Sequence, residues 1–246
     1  MQTLHQAVAS ARGIVFDLFH TLTAREADRI SVPFTYELLN ISREAWEAQL
    51  FETSRYRLAG EERDPFQILA RMARAIHPAI EDAAIRAALP SRLERFAEAL
   101  TNIPASNLEL LAALRRHHRR LGLISNADVI DIHNWRNSPL TGCFDCVTFS
   151  CEIGLVKPEP EIFWHCLNEL GLKPRECLYV GDGGSKELSA ARSLGFTTVM
   201  VAGIVRERWP DKVEPLAQDA DFMIEDPIEM LPPAWALVPQ GEPAGS

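Results

Sequence analysis

Four short stretches of the chain carry residue types able to do chemistry together. The first, V-F-D-L-F-H-T, places the Asp17 carboxylate, the His20 imidazole and the Thr21 hydroxyl directly after an apolar run. A carboxylate at the end of a buried strand is partly desolvated and needs a cation or hydrogen bonds. The second is Ser125-Asn126 at the end of L-G-L-I-S. Its hydroxyl and amide can hold an anionic oxygen without adding charge. The third is Lys157 in G-L-V-K-P-E-P, where Pro158 confines the lysine to extended backbone. A fixed ammonium there would neutralise a phosphate and an attacking carboxylate together. The fourth, V-G-D-G-G-S-K-E, sets Asp182 ahead of Glu187 across a glycine-rich turn that lets both acids face one point. Hard divalent cations prefer oxygen, and Mg²⁺ takes one or two carboxylates plus phosphate and water. The glycine spacing does not match G-x-G-x-x-G, and an acid inside the loop opposes a pyrophosphate. Taken singly, each stretch also reads as a cap, a turn or a surface lysine.

The elements around these stretches explain how they meet. Gly13–Asp17, Leu121–Ser125, Cys146–Ser150, Cys177–Gly181, Thr197–Val201 and Phe222–Glu225 read as short buried strands. Helical patterns lie between them, at L-E-L-L-A-A-L-R-R-H-H-R-R, from about Glu159 to Leu170 and from about Ser185 to Leu194. Alternating strands and helices imply a doubly wound α/β fold with a parallel sheet. In such sheets ligands bind beyond the carboxyl ends of the strands, and three strand ends here deliver Asp, Ser-Asn and Asp. The texture of 24–105 differs: it is helical throughout and poor in β-branched runs, with an N-cap signal at Ser42 and a stop at Gly60. The expected organisation is a Rossmann-like core of 1–23 and 106–239, an inserted all-helical cap of 24–105, and a small polar tail, 240–246, expected to be disordered.

The four stretches, in this order, resemble the haloacid dehalogenase superfamily of hydrolases. The resemblance runs from Gly13 to about Phe222: Asp17 with Thr21 matches the first motif, Ser125 the second, Lys157 the third, and Asp182 with Glu187 the fourth. The helical insert resembles that family's type-1 cap. The resemblance implies that Asp17 attacks phosphorus to form an aspartyl-phosphate, while Ser125 and Lys157 hold the transferring oxygens. It implies Mg²⁺ bound by Asp17, the carbonyl of Phe19 and Asp182. Glu187 would either bind the metal or orient its water, and Thr21 would fix the loop.

One position departs from the pattern. Phosphatases of the family carry a second Asp two residues after the nucleophile, which protonates the leaving oxygen and later activates water. Here that residue is Phe19. Family dehalogenases have an aromatic residue there and work without metal, so a carbon–halogen hydrolase is the alternative, and a weakly active protein that binds a phosphorylated ligand is a third. The dehalogenases lack the acidic fourth motif, which favours phosphoryl chemistry for this chain. His20 is a candidate replacement acid/base, since imidazole titrates near neutral pH; it is equally a loop residue under the cap. In the insert, Arg55 and Arg57, flanking Tyr56, are candidates to read the leaving group.

Composition narrows the partners. The chain has 246 residues, with 34 acidic against 25 basic side chains and a net charge of -9. Such a surface repels nucleic acid and anionic lipid. A phosphorylated small molecule therefore needs local positive charge. No apolar run reaches the roughly 18 residues of a transmembrane helix, and the first residues do not read as a signal peptide. The five cysteines, an odd number, fit reduced thiols in a cytoplasm. Cys143 and Cys146 form a C-x-x-C without a second ligand pair for zinc. A homodimer is compatible with all of this.

Overall fold

A computed structural model describes residues 2–24, 32–51 and 54–235; the expected tail, 240–246, lies outside them. The chain begins with α1 (Leu4–Ser10) and β1 (Gly13–Phe16). The insert then contributes α2 (Thr35–Leu38), α3 (Arg43–Phe51), α4 (Arg55–Leu58), α5 (Pro65–Ile76) and α6 (Asp82–Thr101). Next come α7 (Ala105–Arg116), β2 (Arg120–Ser125), β3 (Cys146–Phe149), α8 (Ser150–Ile153) and α9 (Pro160–Leu170). The chain continues through β4 (Cys177–Gly181), α10 (Glu187–Leu194), β5 (Thr197–Val201), α11 (Gly203–Arg208), α12 (Val213–Ala217) and β6 (Phe222–Ile224).

The six strands form one all-parallel sheet in the order β3-β2-β1-β4-β5-β6. This is the doubly wound order, and the winding reverses between β1 and β4, where such sheets open a crevice. Asp17 follows β1, Asp182 follows β4, and Ser125 closes β2 on the other side of β1. The central strands β1 and β4 are buried on both faces. Ile14 and Phe16 join the core under α1 and α7, while Val15 and Tyr179 join the core under α9 and α10. That split follows the two-residue period of a strand.

The insert has its own core. Its α5 starts with Asp64 accepting from Gln67 N at 3.0 Å and with Pro65 in the first turn, both good helix starts. Ile68, Leu69, Met72 and Ala73 form one helical stripe, packed with Trp46 of α3 and Ile85 and Ala88 of α6. Ile130, from the segment after β2, enters this same cluster.

Several expected boundaries shift: β1 ends at Phe16 and β3 at Phe149, each a residue short, and β2 begins a residue early at Arg120. The helix expected from Ser185 begins at Glu187, because Ser185 and Lys186 both have φ of 55°, a left-handed conformation no α-helix accommodates. The last strand ends at Ile224 rather than Glu225. No described helix is long and apolar enough to cross a membrane.

Candidate active site

Asp17, Lys157, Asp182 and Glu187 meet at the carboxyl rim of β1 and β4. Asp17 N still bonds Val180 O at 2.8 Å, so the sheet ladder fixes its backbone. Its Oδ2 accepts from Thr21 Oγ1 at 3.0 Å, across a turn in which His20 has φ of 62° and bonds Thr23 Oγ1. Lys157 Nζ donates to Asp17 Oδ1 at 2.6 Å, to Glu187 Oε2, to Ile124 O and to Tyr179 OH. Lys157 is 3 % exposed, which removes it from the surface-lysine class. Asn126 holds it there: Lys157 N donates to Asn126 Oδ1 at 2.8 Å, and Asn126 Nδ2 donates to Lys157 O at 2.9 Å. The Asn126 amide, expected to hold an anionic oxygen, also positions the lysine loop through its Oδ1 and one of its two N–H donors.

Glu187 reaches the cluster from the first turn of α10. Its Oε2 accepts from Tyr179 OH at 2.8 Å as well as from Lys157, and Oε1 accepts from Gly183 N at 3.4 Å. A Cβ at Gly181 would overlap Glu187 Oε1, so glycine is what lets the side chain fold back against β4. Gly183, with φ of 87°, turns the chain so that Asp182 also faces inward. Asp182 Oδ1 accepts from Gly184 N at 2.7 Å, and its Oδ2 lies 3.3 Å from His20 Nδ1. Oxygens of Asp17, Asp182 and Glu187 lie within 4.8 Å of one another.

These charges do not balance. Three buried carboxylates face one ammonium. Burial raises the Asp17 carboxyl above its ordinary value against the pull of Lys157, and it raises Glu187 to about 8. Burial works against charge on Lys157 too, but Asp17 and Glu187 outweigh it and raise the ammonium's pKa. Asp182 goes the other way. Burial alone would raise it, but the hydrogen bond and charge of His20, with the Gly184 N–H and Lys157, pull it below its usual range. Three acidic groups crowd one point beside Lys157, and a divalent cation would relieve that crowding. Oxygen donors at this spacing suit a hard ion such as Mg²⁺. Beside the cluster, Ser125 Oγ is buried without a hydrogen-bond partner, a donor aimed at nothing in the protein itself.

A cavity of about 350 Å³ opens above the cluster and runs up under the insert. Asp17, Phe19, His20, Ser125, Asn126, Lys157, Asp182 and Glu187 line its floor. Phe19 packs edge-on against Phe96 of α6 with ring centroids 5.5 Å apart, and His20 packs edge-on against Trp209 at 5.5 Å. Arg57 reaches the cavity, but it is buried in an ion cluster: Nη1 donates to Asp128 Oδ2 at 2.7 Å and to Asp131 Oδ2 at 3.4 Å, and Nη2 to Leu50 O at 2.8 Å. Arg55, expected beside it as a substrate contact, does not line the cavity. It points to solvent and pairs with Glu159 at 3.2 Å, because neighbours on a short helix face different sides.

Sequence reasoning passed over Tyr179, Asp128, Asp131, Arg92 and Phe96. Asp128 and Asp131 had a signal: two acids directly after Ser125-Asn126, in an otherwise apolar stretch. Arg92 and Phe96 had none, since their partners lie on other elements.

The comparisons with known proteins agree with this geometry. A family model described as haloacid dehalogenase-like hydrolase matches residues 11–195. A glyceraldehyde 3-phosphate phosphatase of Methanopyrus kandleri is 34% identical over 126 residues, 49% of this chain and 52% of the relative. A phosphoserine phosphatase of Thermus thermophilus is 33% identical over 103 residues, 41% of each chain. The matches thus span about half of these relatives or less. Among solved structures, an HAD family enzyme of Bacteroides thetaiotaomicron in complex with magnesium and inorganic phosphate superposes with a TM-score of 0.56, at 22% identity over 77% of this chain and 93% of that one. An L-2-haloacid dehalogenase superposes with a TM-score of 0.59, at 21% identity over 79% of this chain and 88% of that one. With the family model covering both the Asp17 and the Asp182 ends of the site, this chain belongs to the haloacid dehalogenase-like hydrolases.

Proposed function

We propose that this hydrolase is a Mg²⁺-dependent phosphatase of a small phosphorylated molecule, acting through an aspartyl-phosphate on Asp17. The observation that carries this reading is the convergence of the buried Asp17, Asp182 and Glu187 oxygens within 4.8 Å of one another, around Lys157. Buried charge without compensation is costly, and a divalent cation removes the cost. Asp17 and Asp182 would hold Mg²⁺ with the Phe19 carbonyl. Glu187, already bonded to Lys157 and Tyr179, stands behind them as the residue that fixes the lysine. A cation held there would supply the positive charge that lets an anionic nucleophile meet an anionic phosphate.

The protein's own residues do the rest. The Thr21 hydroxyl and Lys157 hold the two oxygens of Asp17, so one oxygen is aimed at an incoming phosphorus. Lys157 and the partnerless Ser125 Oγ are placed to bind oxygens of the transferring group. The helical insert acts as the cap, excluding water and contacting the leaving group. Phe19 carries no proton, and His20, which lines the same cavity, is the residue able to replace the missing acid/base. The phosphatase names among the relatives support this class of substrate.

Carbon–halogen hydrolysis is the second reading. Phe19 and the fold likeness to a haloacid dehalogenase favour it. One experiment separates the two: turnover of an aryl phosphate with Mg²⁺ or with EDTA, run beside halide release from a 2-haloacid. Phosphate release that EDTA abolishes supports the proposal, and halide release in EDTA without phosphate release overturns it. Calorimetry adds a readout independent of turnover, with Asp182→Asn expected to weaken Mg²⁺ binding at least about tenfold.

A further inference from the structure

The upper part of the cavity is lined by arginines and aromatic rings. Arg43, Arg57, Arg92, Arg95 and Arg208 line it among the described residues, against Glu47 and Asp131, with Asp128 behind Arg57. This lining is rich in arginine in a protein whose net charge is -9. The arginines are not equally served. Glu47 contacts Arg43 at 2.8 Å and Arg208 at 3.9 Å, Arg95 donates to Val32 O at 3.0 Å, and Arg57 takes the short bond to Asp128.

Arg92 is the exception. It is 4 % exposed, its one ion-pair contact is Asp131 Oδ1 at 3.4 Å, and its Nε is buried with no partner. The guanidinium lies instead near the rings of Trp46 and Phe96, 5.9 and 5.0 Å from their centroids. Burial lowers its pKa, the attraction of Asp131 and Asp128 notwithstanding. A guanidinium has five N–H donors, and a buried one whose single hydrogen bond is 3.4 Å long has donors to spare. Its place in the fold says where a further acceptor would come from. Arg92 stands one helical turn, about 6 Å, before Phe96 on α6, and Phe96 touches Phe19, two residues from Asp17.

We propose that this end of the cavity binds a carboxylate carried by the leaving group, with Arg92 as the residue that reads it; this rests on Asp17 being the phosphoryl acceptor. The substrate class is then a small phosphate compound with an apolar or aromatic body, phosphate at one end and carboxylate at the other. The body would lie along Phe96, Trp46 and Phe34. A carboxylate is favoured because a planar, singly charged group suits the donors that Asp131 leaves unfilled on one planar guanidinium.

The test uses kcat/KM for three aryl phosphates: unsubstituted, bearing a ring carboxylate, and bearing a second ring phosphate. The wild type is expected to prefer the carboxylate over the unsubstituted compound at least tenfold, and Arg92→Gln to collapse that ratio. Arg92→Lys keeps the charge but not the fork, and is expected to lower the ratio at least threefold. It carries the test if thermal melting finds Arg92→Gln unfolded. A ratio unchanged in the variants, no preference in the wild type, or a stronger preference for the second phosphate overturns the proposal. If no aryl phosphate is turned over at all, the phosphatase reading has failed, and calorimetry with benzoate judges the subsite by itself. Binding that the Arg92 variants weaken tenfold sustains an anion site, and no binding, or equal binding by all three proteins, ends it.

Discussion

The floor and the roof of the cavity are both built from buried charges, yet they are balanced differently. On the floor, Asp17, Asp182 and Glu187 share the single ammonium of Lys157. On the roof, Asp128 and Asp131 both contact Arg57, while Arg92 has only Asp131 at 3.4 Å, at the seam between the insert and the segment after β2. A fully paired buried charge holds geometry, and removing its partner leaves a naked charge behind. The floor crowds three acids around one ammonium and the roof shares its acids unevenly, so the cavity presents a cation-seeking pole and an anion-seeking pole. The Phe19–Phe96 contact separates them.

The comparison can be broken most severely at the floor. Asp17→Asn keeps the shape and removes the nucleophile, so turnover is expected to fall at least about a thousandfold while the melting curve stays cooperative. Substantial residual kcat, in protein free of wild-type contamination and of deamidation, would remove the covalent role of Asp17.

The divide between the poles is tested at Phe19. A positioned general acid contributes about 10²–10⁴-fold, chiefly when the leaving group is a poor one. The wild type should therefore favour aryl over alkyl phosphates and show a phosphoenzyme burst. Phe19→Asp should raise the alkyl rate more than the aryl rate. If His20→Asn instead costs about a hundredfold on alkyl phosphates, and the wild type has no burst, His20 has taken over the proton and Phe19 is not a deficiency.

A smaller loss is expected for Lys157→Met. Removing the ammonium leaves three carboxylates around the phosphate, and kcat/KM should fall at least tenfold, about 1.4 kcal/mol of barrier. An unchanged value would make Lys157 a structural pin for Glu187.

The smallest effect sharpens the roof. Burial, then the charge of Asp128, raises the Asp131 carboxyl from its ordinary 3.8 to about 6. The folded protein thus keeps this proton to a higher pH than the unfolded chain does. Folding is disfavoured by this group as pH rises from about 4 to about 6, with no further change above. Two pH units correspond to on the order of 3 kcal/mol. In Asp131→Asn that contribution is absent, so the stability of wild type minus variant should decline across this window in urea melts and be level above it. A level difference throughout would mean that Arg57 and Arg92 fully compensate Asp131.

Much of the floor was legible in the amino-acid sequence. The alternation of short apolar runs with helical stripes is enough to specify a parallel sheet, because a chain with those periods has few ways to bury its apolar faces. Acids and hydroxyls at the ends of such strands must then gather on one rim, which is why Asp17, Ser125 and Asp182 could be placed together from spacing alone. The roof was not legible. Arg55 and Arg57 look alike in the chain, and only packing sends one to Glu159 in solvent and the other to a buried Asp128. Arg92 and Asp131 are 39 residues apart on elements whose contact depends on how the insert seats on the core. Asn126 offers an amide to any anion by its chemistry, but the tertiary structure also ties that amide to the backbone of Lys157. Local pattern determines what each element can bury. Which charge a side chain finally meets depends on long-range packing, and burial makes that choice carry most of the energy.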